Sequence, residues 1–174
     1  MIKLTEVPRI WTSAIDCLKK RDGLPAVAFT LSRKRCDNNA AMLSGINLTT
    51  PGEKNEIALF YRRCTSKLKP IDRKLPQVVH LEGLLERGIA VHHSGVLPIL
   101  KETIELLFAR GLVKLLFATE TFAMGVNMPA RSVLFDSNRK HDGRGMRDLI
   151  PSEYIQMAGR AGRRGLDSFG TVIL

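Results

Sequence analysis

The chain lacks the parts of a self-sufficient nucleoside triphosphatase. No G-x-x-x-x-G-K-[ST] phosphate loop occurs in its 174 residues, so it encodes no backbone cradle for a triphosphate. No Asp-Glu pair stands at a strand end to hold magnesium for phosphoryl transfer. By itself such a chain is expected not to hydrolyse ATP. No apolar run approaches the roughly 18 residues of a spanning helix, which argues against a membrane protein. Met1 to Arg9 carries neither an apolar h-region nor a cleavage signature. Cysteine is scarce: Cys17, Cys36 and Cys64 are odd in number, widely spaced and without a Cys-x-x-Cys pair. They read as reduced thiols of an intracellular protein, and a metal site is not expected. Acidic residues are also short, 17 against 27 Lys and Arg, leaving a net charge of +10. That excess points to a polyanionic partner, either nucleic acid or an anionic membrane surface.

What is present suits one soluble domain with a proper core, at 44% hydrophobic and 25% charged residues. Trp11 to Lys20 reads as an amphipathic helix, with Ile15 and Leu18 apolar and Lys19-Lys20-Arg21 favouring its C-terminal end. After a turn at Asp22-Gly23, Pro25 to Leu31 is a continuous apolar run, the pattern of a strand buried on both faces. Ser32 comes directly after it and opens a helix starting Arg33-Lys34-Arg35. Strand into helix N-terminus is an anion-binding geometry, so Ser32 is either a plain N-cap or a phosphate contact. Thr50-Pro51-Gly52-Glu53 has the form of a capping box with proline at the first helical position. The helix it starts carries Ile57, Phe60 and Leu68, and its outer residues Arg62, Arg63, Lys67 and Lys69 read as a solvated face.

Leu75 to Arg87 is a further short helix, and Gly88 to His93 a second buried strand ending in Ser94-Gly95. His92-His93 has no further ligands clustered in sequence, so packing is favoured over metal binding. Leu100 to Ala109 is a helix closed by Gly111. Leu112 to Thr119, Ser132 to Phe135 and Gly170 to Leu174 complete five strands. Strands alternating with helices predict an α/β fold, a parallel sheet covered on both faces. Arg139 to Arg144, basic and glycine-bearing, reads as a mobile surface loop, with a nucleic-acid contact as the alternative. The chain ends on a strand with no polar cap, as though cut from a longer protein.

Two stretches carry the chemistry. Gln156-Met157-Ala158-Gly159-Arg160-Ala161-Gly162-Arg163-Arg164-Gly165 places three arginines and three glycines in ten residues. Read as a helix, it sets Gln156, Arg160 and Arg163 on one face at i, i+4 and i+7. The glycines disfavour a helix by about 1 kcal/mol each, so a function must outweigh propensity. Guanidinium forks suit phosphate oxygens, and two of them one turn apart suit a polyphosphate. Arg164 reads as a salt-bridge or RNA-side residue. The other stretch, Phe117 to Ala130, begins in a buried strand and continues past its end, where ligands of α/β sheets sit. Hydroxyls at Thr119 and Thr121 suit a sugar-phosphate backbone held without reading bases. Gly125 permits close approach, and Asn127 can meet a ribose hydroxyl.

These two stretches resemble motifs V and VI of superfamily-two helicases. The wording Thr-Glu-Thr-Phe-Ala-Met-Gly-Val-Asn-Met-Pro-Ala is similar to superkiller-type DExH helicases. Pro25 to Cys36 matches motif IV, and Val91-His92-His93-Ser94-Gly95 the strand-end element after it. The resemblance runs from about Trp11 to Leu174 and implies that residues 1–174 form a second RecA-like domain. The first such domain, with its phosphate loop and DExH box, would lie elsewhere in a longer helicase. It further implies arginine fingers at Arg160 and Arg163 with Gln156 beside them, and nucleotide contacts at Gly125 and Asn127. RNA contacts would fall at Ser32, Arg33, Gly95, Thr119 and Thr121. ATP with Mg2+ would be bound mainly by the first domain. The implied activity is 3′→5′ RNA unwinding that feeds an exosome in company with superkiller-complex subunits, in the cytoplasm, with the nucleus as the alternative. The rivals are a related DNA-repair helicase and a non-catalytic nucleic-acid-binding module.

Overall fold

Ala26–Phe29, the centre of the first apolar run, forms strand β1 at the middle of a five-stranded parallel sheet. A computed structural model describes residues 7–125 and 127–174 of the chain; the first six residues and Val126 of the Phe117–Ala130 stretch lie outside the described residues. β1 pairs on one side with β3 (Leu115–Ala118), which pairs in turn with β2 (Ile89–His92). On its other side β1 pairs with β4 (Ser132–Phe135), and β4 with β7 (Thr171–Ile173). The spatial order is thus β2-β3-β1-β4-β7. Every residue of β1 to β4 is buried, as strands covered on both faces must be. The expected α/β architecture is therefore the one found, with all five predicted strands present and most of them shorter than their apolar runs.

Helices α1 (Val7–Lys20), α2 (Arg33–Met42), α3 (Pro51–Thr65), α4 (Pro76–Leu85) and α5 (Pro98–Ala109) flank the sheet. Trp11 of α1 meets Phe117 of β3 edge to face at 4.8 Å, a favoured aromatic geometry. The capping box of α3 is present: the Glu53 carboxylate accepts from the Thr50 N–H at 2.8 Å, and Thr50 Oγ1 accepts from the Glu53 N–H at 3.3 Å. Glu53 also takes Lys114 Nζ at 2.6 Å, which holds its carboxyl below the ordinary range and ties α3 to the approach of β3. Arg62, Arg63, Lys67 and Lys69 lie on the outer side of this region, and all four are exposed, as a solvated face requires. Leu68 falls beyond the end of α3 yet still packs on the core.

Two local expectations fail. Arg139 to Arg144 is not a loose loop but the start of an antiparallel hairpin, β5 (Arg139–His141) against β6 (Met146–Asp148). Lys140 holds it down, its side chain only 13% exposed between the carboxylates of Glu120 and Glu153. The Gln156–Gly165 stretch is not one helix either. Helix α7 (Pro151–Ala158) stops at Gly159, and the chain then turns so that Ala161 bridges to Ala130. Gly162 lies at φ +87°, a conformation that side chains disfavour. A Cβ on Gly170 would stand 2.6 Å from the Gly162 nitrogen and overlap the Ala161 carbonyl. Gly162 and Gly170 thus serve a tight backbone crossing beside the sheet edge, and the single helical face of Gln156, Arg160 and Arg163 does not exist.

Candidate nucleic-acid cleft and arginine segment

β1, β2 and β3 end together, and the residues just past each strand line one cleft. Ser32 and Arg33 come from the β1–α2 junction, Ser94 from the turn after β2, and Thr119 and Thr121 from the start of the short helix α6 (Glu120–Gly125). His141 of the hairpin closes the far wall. Ser32 caps α2 in an extended conformation, its Oγ accepting from the Arg35 N–H at a long 3.5 Å. It is therefore both a cap and a cleft residue, and the positive end of α2 opens onto the cleft. The Thr119 and Thr121 hydroxyls lie 3.0 Å apart. Gly95 joins from the side, where a Cβ would come within 3.8 Å of Arg33 Cδ. The five residues expected to hold RNA thus assemble at one place, and Ser94 and His141 are additions to them. Ser94 sits between two residues of the strand-end element; His141 falls in the basic 139–144 stretch, for which a nucleic-acid contact is the alternative to a mobile loop.

The adjoining histidines are structural. His92 Nε2 bonds Glu105 of α5 at 2.8 Å, and His93 Nε2 bonds Asp37 of α2 at 3.1 Å, so the two rings serve different helices. Burial lowers the His92 pKa, which keeps the ring neutral near pH 7. The Gly95 N–H donates to His93 Nδ1 at 3.1 Å, so His93 carries its proton on Nε2 and fixes the turn that holds Ser94 and Gly95. Among the described residues no three metal-ligating side chains gather.

The arginine segment lies beyond α7. Arg160 turns back toward α6: its Nη1 donates to Asn127 Oδ1 at 2.9 Å and its Nη2 to the Ala123 carbonyl. Gly125, Asn127 and Arg160 are thereby brought together, and a Cβ on Gly125 would meet open space. Among the described residues Arg160 has no carboxylate partner. Arg163 is held differently. Its Nε and Nη2 donate to the two oxygens of Asp167, both at 2.8 Å, and its backbone N–H donates to the same carboxylate at 2.9 Å. Asp167 is 4% exposed and also takes Arg131 Nε at 3.0 Å. Arg163 holds the Asp167 carboxyl far below its ordinary range, and Asp167 raises the Arg163 pKa in return. Arg163 and Asn127 border one cavity, together with Arg164 and Leu166. Gln156 is exposed on α7 and, among the described residues, makes no side-chain hydrogen bond. Asp167 is a functional neighbour that sequence reasoning misses, although its i+4 spacing from Arg163 is a signal that could have found it.

A guanidinium facing only neutral acceptors suits a phosphate supplied from outside. The strand-end cleft, with hydroxyls and a helix N-terminus but no base-reading pocket among the described residues, suits a sugar-phosphate chain. Arg160, bonded only to neutral acceptors, is a donor that fits the phosphate end of a nucleotide.

The family described as helicase conserved C-terminal domain matches residues 49–165. Mouse Superkiller complex protein 2 is 64% identical over 95% of the chain, which covers 13% of that protein. The Antiviral helicase SKI2 of Saccharomyces cerevisiae is 56% identical over 95% of the chain and 13% of its own length. Mouse Exosome RNA helicase MTR4 is 50% identical over 92% of the chain and 15% of its own length. The chain thus spans well under a fifth of the length of these relatives.

Proposed function

On the premise that the chain belongs to the helicase C-terminal domain family, as a superkiller-type second RecA-like domain, we propose that it completes the ATP site of a 3′→5′ RNA helicase and grips the RNA backbone. Arg160 and Arg163 act as arginine fingers toward the γ-phosphate, with Gln156 alongside and Gly125 and Asn127 against the nucleotide. ATP and Mg2+ are held mainly by a first RecA-like domain, so this domain alone is inactive. Ser32, Arg33, Gly95, Thr119 and Thr121 hold phosphates and riboses without reading sequence. Relatives named for the superkiller complex and for the exosome support RNA delivery to an exosome with superkiller subunits as partners; the proposed site of action is the cytoplasm.

The observation that carries this reading is Arg160, a cation whose partners are the Asn127 amide and the Ala123 carbonyl, in a chain that has no phosphate loop. The test is the full-length helicase carrying Arg160→Ala together with Arg163→Ala. Its RNA-stimulated ATPase should fall by about 10³–10⁵-fold, the size of an arginine-finger contribution, while RNA binding persists. Undiminished ATPase in that protein would falsify the assignment and favour a binding module. Unwinding assays on matched RNA and DNA duplexes separate an RNA helicase from a DNA-repair relative.

A further inference from the structure

The β5–β6 hairpin lends His141 to the cleft, but its central Lys140 has no part in the function above and ties the two working segments together. Lys140 Nζ donates to Glu120 at 2.9 and 2.7 Å and to Glu153 at 2.8 Å. Glu120 is the first residue of α6, flanked by Thr119 and Thr121 of the cleft. Glu153 lies in the first turn of α7, about two helical turns ahead of Arg160 in the sequence. Glu153 is locked further: Arg147 of β6 donates to both its oxygens at 2.9 and 2.7 Å, and it accepts from the Ile150 N–H at 3.1 Å. At their far ends the same two segments meet again, where Arg160 donates to the Ala123 carbonyl of α6. α6 and the α7–Arg160 segment are thus closed into a ring, with Lys140 at one junction and Arg160 at the other. His141, the next residue of the strand, faces the cleft.

A lysine with 13% exposure, shared between two carboxylates on separate elements, is a costly way to staple a surface hairpin. Loss of its charge would leave Glu120 without its ion-pair partner and Glu153 with Arg147 alone, so the α6 side of the ring opens while α7 keeps its cap. We propose that Lys140 is a positioning residue that couples RNA seated on Thr119, Thr121 and His141 to the placement of Arg160. Lys140 itself touches neither ligand. This rests on the helicase reading above: the ring is a means by which RNA binding raises ATPase.

The test uses the full-length helicase with Lys140→Met and Lys140→Arg, comparing RNA affinity, ATPase without RNA and ATPase at saturating RNA. Lys140→Met should keep RNA affinity and RNA-free ATPase within about twofold and lose about tenfold of the RNA stimulation, in the range of residue-level coupling energies. Lys140→Arg, which retains a cation between the carboxylates, should recover most of it. Glu120→Gln, which cuts only the α6 arm, should reproduce the loss and covers the case in which Lys140→Met does not fold. Stimulation left intact in both Lys140→Met and Glu120→Gln overturns the coupling role. So does parallel loss of RNA binding and RNA-free ATPase in both variants, which marks a purely structural staple. If the unsubstituted protein itself shows no RNA-stimulated ATPase, the helicase reading fails instead.

Discussion

Replacing Asp167 by asparagine tests how the arginine segment is held. The Asp167 carboxylate faces four donors: on one oxygen Arg163 Nη2 and Arg131 Nε, on the other Arg163 Nε and the Arg163 N–H. An amide presents one oxygen, so its NH2 must confront donors on whichever side it takes. Two guanidiniums then share a site that has lost its negative charge, although Arg131 keeps a contact to Asp22. Removing one partner of a buried pair costs about 3–5 kcal/mol, and the retained acceptor places Asp167→Asn near the lower figure, about 3 kcal/mol. For a chain of this length that is a melting-temperature drop of about 6–12 °C. The pH dependence fixes the cause. The folded carboxyl is held below its ordinary range by Arg163, so its contribution is fully present above the unfolded value, about 3.9, and is lost only as pH falls toward the folded value. The gap between native and Asp167→Asn proteins should therefore be equal at pH 7 and pH 5 and narrow below about pH 4. Thermal melting followed by far-UV circular dichroism measures both. A gap under about 2 °C at pH 7, or one that narrows already between pH 7 and pH 5, refutes the charge-pair account.

Three further outcomes test the geometry. Arg33→Ala should weaken binding to single-stranded RNA of any sequence and reduce the slope of log affinity against log salt by about 0.7, the share of one phosphate contact; an unchanged slope in a filter-binding titration would remove Arg33 from the cleft. Gly170→Ala should destabilise the domain by about 1–3 kcal/mol in urea denaturation, since its Cβ overlaps the Ala161 carbonyl at the crossing; a midpoint equal to wild type would mean the crossing opens freely. At pH 8 a maleimide should label exposed Cys17 first and leave Cys36 unlabelled until the protein unfolds, because burial pushes the Cys36 thiol up to about 12; mass spectrometry showing early modification at Cys36 contradicts its burial.

The sheet was legible because each central strand is a run of apolar residues with turn residues at its ends, and nothing else in the chain competes for that pattern. The cleft was legible for the same reason: Ser32, Ser94 and Thr119 are simply what comes next after three buried strands. The arginine segment was not, because its crossing at Gly162 answers to contacts distant in sequence. Gly170 makes room for Ala161, and Ala161 bridges to Ala130; neither partner can be seen from the ten residues themselves. The hairpin was hidden in the same way. Its residues look like a basic loop until Glu120 and Glu153, 20 and 13 positions away, are brought to Lys140.

Losing the helix changes what the two fingers can do. On one helical face, Arg160 and Arg163 would be equivalent forks a turn apart. In the observed crossing they are unequal. Freeing Arg160 gives up hydrogen bonds to an amide and a carbonyl, each worth about 1 kcal/mol net, so an arriving phosphate displaces them. Freeing Arg163 means parting a bidentate pair from a carboxylate that is 4% exposed, several kcal/mol that one phosphate contact does not recover. If the proposed finger role holds, Arg163 would meet a nucleotide with the edge that Asp167 leaves uncovered, its Nη1 side, and Arg160 would be the one free to exchange its partners. Because Arg160 is also the far junction of the ring through Lys140, the proposed coupling would act on the arginine with the weaker hold.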